Sequence, residues 1–70
     1  MKMEEIELRK KYRYIWEDDL PYFATVERKQ GGRALITLGE RINKDGDPDV
    51  VIHSLKGKLQ WVRPEELQEL

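Results

Sequence analysis

Trp16 and Tyr22 bracket the acidic run Glu17-Asp18-Asp19. Aromatic faces beside carboxylates hold cations, including a methylated lysine or arginine, through the ring quadrupole and the neighbouring charge. Trp16, Asp18, Asp19 and Tyr22 are therefore the residues expected to meet a protein partner. A second set of side chains suits a polyanion. Arg9, Lys11 and Arg13, then Arg28, Lys29 and Arg33, then Lys56 and Lys58, lie among tyrosines and tryptophans. Cations can track phosphates while aromatic rings stack on bases, so RNA or single-stranded nucleic acid is the alternative partner. Against both readings stands packing, because a small domain needs large side chains to fill its core.

Catalytic and metal chemistry find little support. His53 is the single histidine and there is no cysteine, which leaves no zinc ligand set and no Cys–His pair. Ser54 follows His53 directly, and neighbours on a strand point to opposite faces, so they make no dyad. The acidic stretch Asn43, Asp45, Asp47 and Asp49 resembles a calcium loop in composition only. Such a loop needs glycine at its sixth position and glutamate at its twelfth. Counting from Asn43 gives Pro48 and Ser54, and counting from Asp45 gives Val50 and Lys56. A solvated turn is the expectation, with no metal, no cofactor, no catalytic residue and no enzymatic activity.

The elements that must hold these residues are short strands. From Ile6 to Trp16 the even positions are Ile6, Leu8, Lys10, Tyr12, Tyr14 and Trp16, and the odd ones Glu7, Arg9, Lys11, Arg13 and Ile15. Apolar and charged side chains alternate, the period of a strand with one face buried. Residues 4–11 are also good helix formers, which allows a short N-terminal helical turn. Pro21 ends the first strand. Tyr22–Lys29 and Arg33–Glu40 flank Gly31-Gly32, a dipeptide that tolerates the positive φ of a tight hairpin. Asn43–Asp49 is a polar loop, Val50–Leu55 a fourth strand, Lys56-Gly57 a turn and Lys58–Arg63 a fifth strand. In that fourth strand His53 shares a face with Val51 and Leu55. Pro64-Glu65-Glu66-Leu67 reads as one helical turn, with proline at its first position and acid at the positive end of its dipole. Leu67 and Leu70 are placed to cap the open end of the sheet.

Seventy residues with 39% charged side chains make one domain spanning residues 1–70. A chain this short buries only about 60% of its unfolded surface, so its stability is a few kcal/mol. No apolar run approaches the roughly 18 residues of a membrane span. Met1-Lys2-Met3-Glu4-Glu5 has no apolar export segment, and the cytoplasm is the expected compartment. The formal net charge of −1 excludes a strongly basic duplex-DNA binder. Charge is nevertheless blocked: residues 14–20 and 64–70 carry only acid, and 50–63 only base.

Short strands joined by tight turns suggest a bent sheet that curls into a barrel. The succession Tyr22–Val26, Gly32–Leu38 and Leu59–Leu67 resembles the SH3-like barrel superfamily, in particular its Tudor-type and its bacterial or phage members. The resemblance covers roughly residues 10–68. It implies a mainly β fold: a five-stranded small barrel with a short C-terminal helical turn. Its Tudor-type members draw attention to the Trp16–Tyr22 loop. The expectation is a non-enzymatic binding module, monomeric or weakly self-associating, that uses this loop and a barrel edge to hold a protein.

Overall fold

A computed structural model of the chain describes residues 1–49 and 55–70. The fold is mainly β. Six strands are present among the described residues: β1 (Lys11–Ile15), β2 (Pro21–Gln30), β3 (Arg33–Ile42), β4 (Pro48–Asp49), β5 (Leu59–Val62) and β6 (Leu67–Gln68). They form one antiparallel sheet in the order β4-β3-β2-β1-β6, with β5 also on β3. Short 3-10 turns at Met3–Glu5 and Pro64–Glu66 are the helical elements of the described residues.

The strand count exceeds the expected five, and the ladder does not close into a barrel among the described residues. Two very short strands account for the extra pairing. Pro48 and Asp49 return beside Ile42 and Arg41, braced by an Arg41–Asp49 ion pair at 2.9 Å. After the Pro64–Glu66 turn, Leu67 and Gln68 pair with Tyr14 and Arg13 on the opposite edge. The expected fourth strand, Val50–Leu55, and with it His53 and Ser54, lies outside the described residues except for Leu55, which opens a turn.

The first strand begins later than its alternation suggests. Met3–Glu5 coils into a 3-10 turn, and Arg9 adopts a left-handed backbone at φ 67°. Arg9 N–H donates to the Val26 carbonyl at 2.7 Å, and Val26 N–H to the Lys10 carbonyl at 3.2 Å. The turn breaks the period of two. Ile6 is buried, whereas Leu8 is 55% exposed and Lys10 stays in solvent. A charged Lys10 has no place in a core without a partner, so the chain turns it out before pairing begins.

From Lys11 onward the alternation holds. Tyr12 and Tyr14 face inward, with Ala24 opposite Tyr12 and Leu38 next across the sheet. The small Ala24 gives the large Tyr12 ring its room, as close packing requires. Val26, Ala34, Ile36, Val62 and Leu67 complete this core, and Ile6 plugs it from the N-terminal turn. Lys29 ties that plug down, its ammonium donating to the carbonyls of Ile6 at 2.7 Å and Met3 at 3.3 Å. Leu70 does not join the cap expected of it: only Leu67 is buried, and Leu70 is 63% exposed because β6 ends at Gln68.

The β2–β3 hairpin turns on Gly31 and Gly32, both at positive φ (58° and 75°), the pair of left-handed positions a two-residue hairpin turn requires. Further along, the register slips between Val26 and Arg28, where Glu27 is the extra residue of a bulge. The slip carries Arg28 to the same face as Leu35.

The contrast between Ile6 and Leu8 is testable by chemical denaturation. Ile6→Ala is expected to cost about 2–5 kcal/mol. Leu8→Ala is expected to change stability by less than about 0.5 kcal/mol. Equal costs would show that the alternation runs unbroken through Arg9.

Candidate functional site

The Trp16–Tyr22 loop is held from within. Trp16 N–H donates to the Leu20 carbonyl at 3.0 Å and Asp19 N–H to the Trp16 carbonyl at 2.9 Å, with Asp19 left-handed at φ 63°. Both oxygens of Asp18 are engaged. One accepts the Leu20 N–H at 3.0 Å, and the other accepts the Tyr22 hydroxyl at 2.7 Å. Tyr22 is only 3% exposed and belongs to the core. Trp16 is half-buried against the core, tilted 57° to Tyr14 with their centroids 6.4 Å apart. The Lys58 ammonium lies 5.5 Å from the Trp16 ring centroid. The cation beside that indole is therefore one the chain supplies itself.

Of the four residues expected to touch a partner, Asp18 and Asp19 are exposed and Trp16 is half-buried, Asp18 also organising the loop, while Tyr22 packs inside. Two side chains that the sequence pattern had not singled out stand out instead. Ile15 and Leu20 are each 37% exposed at the loop, beside solvent-exposed Glu17 and Asp19. Ile15 was signalled by its position, an isoleucine on the charged side of the alternation.

The expected basic set divides between faces rather than forming one stripe. Lys29 is exposed but committed to the Ile6 and Met3 carbonyls as the clamp on the N-terminal turn. Arg9 sits 3.9 Å from Glu27, Lys56 3.2 Å from Glu40, and Lys11 places its ammonium 5.9 Å from the Phe23 ring centroid. Arg13 is half-buried between Phe23 and Gln68, and among the described residues its Nε, itself buried, has no hydrogen-bond partner. Arg28 and Arg33 lie near the hairpin tip and are exposed.

An open groove of about 310 Å³ crosses the outer face of β2 and β3, walled by Lys11 and Lys56 and lined by Phe23, Glu27, Gly39 and Glu40. Gly39 leaves its floor open, since a Cβ there would only touch Phe23 at 3.6–3.7 Å. Glu27 also accepts the Thr37 hydroxyl at 2.9 Å. The Glu40 carboxyl is held below its ordinary value, first by its own backbone N–H and then by Lys56. The groove's ion pair is thus satisfied internally.

Asn43 organises the acidic loop, its side-chain oxygen accepting the N–H groups of Asp45 and Asp47 at 2.9 and 3.0 Å. Among the described residues no cluster of three or more His, Cys, Asp or Glu side chains could hold a metal. Nor is any helix there long and apolar enough to cross a membrane. Comparison with family models, with curated proteins and with solved structures returns no match. The functional reading therefore rests on the chemistry of this chain's own surfaces.

Tyr22 carries a pH signature. Its hydrogen bond to Asp18, then burial, raises its phenol above the ordinary tyrosine value, and burial does the same for Tyr14. A raised folded-state pKa favours the protonated form. The associated stability is intact below about pH 10, the unfolded-state value, and is lost as the pH climbs through the higher folded-state value. Tyr22→Phe keeps the ring and removes the donor. It is expected to cost about 1 kcal/mol at neutral pH and to flatten the alkaline fall in stability, read from urea midpoints across that range. An unchanged alkaline limb would show that the hydroxyl contributes nothing.

Proposed function

We propose that this chain is a non-enzymatic binding module of the SH3-like small-barrel type that holds a protein partner at the Trp16–Tyr22 loop and the adjoining sheet edge. The strand succession supports the fold half of this reading: a meander of β1, β2 and β3, then β5 on β3, a 3-10 turn, and β6 returning to β1. Such a module works in the cytoplasm as a monomer or a weak self-associating unit. A sequence with one histidine and no cysteine supports its non-enzymatic character.

One observation carries the binding half. Ile15 and Leu20 present apolar surface beside the Glu17 and Asp19 carboxylates, on a loop that Asp18 and Tyr22 fix from beneath. A preorganised loop loses little entropy on binding, so modest contact area yields useful affinity. Apolar anchors rimmed by acid fit a segment with an apolar side chain next to lysine or arginine, and the rim charges accelerate encounter with such a segment.

Selection from a random peptide library tests this. Recovered peptides are expected to pair basic with apolar residues. Leu20→Asp is expected to weaken their binding at least about tenfold, equivalent to about 1.4 kcal/mol. Glu17→Lys should weaken it in a salt-dependent manner, while both variants keep near-native urea midpoints. Recovery of no peptide, or of peptides indifferent to both substitutions, overturns the reading.

A further inference from the structure

A second surface lies away from that loop, on the outward face of β2, β3 and β5. Arg28 pairs with Leu35, and Leu35 pairs with Trp61, so the three form one row across the sheet. Directly paired residues share a face, as do residues two apart along a strand. The adjacent row therefore holds Arg33, two before Leu35, and Arg63, two after Trp61. Arg63 keeps an extended backbone (φ −85°, ψ 151°), so the alternation runs through it. Val62 and Pro64 on either side are buried, which sends Arg63 outward.

Trp61 is 42% exposed. Leu59 stands two residues before it, 59% exposed. Among the described residues no carboxylate pairs with Arg28, Arg33 or Arg63. Two neighbouring acids are committed elsewhere: Glu27 to Thr37 and Arg9, and Glu66 to the Arg63 backbone N–H at 2.7 Å. With strands about 4.8 Å apart, Arg28 and Trp61 lie on the order of 10 Å apart, so all three guanidinium groups can surround one ligand on the indole.

We propose that this face binds single-stranded nucleic acid, one base stacking on Trp61 while Arg28, Arg33 and Arg63 hold the flanking phosphates. An exposed indole is a stacking platform, and each base stacked on an aromatic side chain contributes about 1–3 kcal/mol. Guanidinium groups match phosphate oxygens in a fork geometry. A broad sheet face does not enter a duplex groove, so the bases must be unpaired to reach the ring. An acidic peptide would satisfy the arginines but offers the indole a planar group only where it carries an aromatic side chain, whereas every nucleotide brings one. Three phosphate contacts set a shallow salt dependence, with a log–log slope near about −2 for a single strand.

The test is fluorescence anisotropy of labelled oligouridylate and oligothymidylate of about 12 nucleotides, at roughly 50 mM salt, with a duplex of equal length alongside. Single strands are expected to bind more tightly than the duplex. Trp61→Ala should weaken binding about 5- to 150-fold, the range corresponding to the loss of one stacked base. Trp61→Phe should recover most of that loss. Arg28→Gln, Arg33→Gln and Arg63→Gln should each reduce the slope by about 0.7, and they read the site independently if Trp61→Ala fails to fold. Leu20→Asp should bind as the parent does, so failure of the loop reading and failure of this one are distinguishable. Absent binding, equal affinity for duplex, competition by polyglutamate as strong as by oligonucleotide, or arginine variants that leave the slope unchanged would each overturn the proposal.

Discussion

Burying a tyrosine leaves a hydroxyl that must find a partner, and this domain meets that demand at both ends of its first hairpin. Tyr12 is fully buried, and its oxygen accepts the Glu7 N–H at 2.9 Å, which draws the N-terminal segment over the core and seats Ile6. Tyr22 donates to Asp18, which fixes the loop at the opposite end. Two phenols thus decide how the chain enters the sheet and how it makes its first reversal. The strands between them need only alternate.

That division explains what the sequence reveals. Period two places Tyr12, Tyr14, Ala24, Val26, Ile36 and Leu38 on the inner face, and Gly31-Gly32 marks the hairpin, because both signals are local. The exceptions depend on contacts distant in the chain. Leu8 fits the alternation yet is exposed, since Arg9 turns left-handed where its N–H meets Val26. Tyr22 and Asp18 look like partner-binding residues by type, but the Tyr22 hydroxyl is spent on Asp18, and the Asp18 oxygens on Tyr22 and the Leu20 N–H. The short strands β4 and β6 have no period of their own and exist only because β3 and β1 offer them an edge.

The basic residues show the same limit. Alternation alone would put Lys29 outside and Arg28 inside. The bulge at Glu27 exchanges them: Lys29, itself exposed, moves to the side of Ala34, where its ammonium clamps the Ile6 carbonyl, and Arg28 joins the outward row with Leu35 and Trp61. One inserted residue therefore sets which cation braces the N-terminal turn and which stands on the outer face. The result is a domain with acid and apolar surface at the first loop and arginine around an indole on the broad face, within a net charge of −1.

The pairing of Arg13 with Gln68 has a consequence for synthesis. The glycine-turned hairpin joins neighbours in the chain and can assemble while translation is still under way. The edge of β1 must wait until Leu67 and Gln68, far along the chain, have left the ribosome before β6 can cover it. Until then its backbone amides and carbonyls lie open to other nascent chains, and the charges of Lys11 and Arg13 along that edge discourage such mispairing.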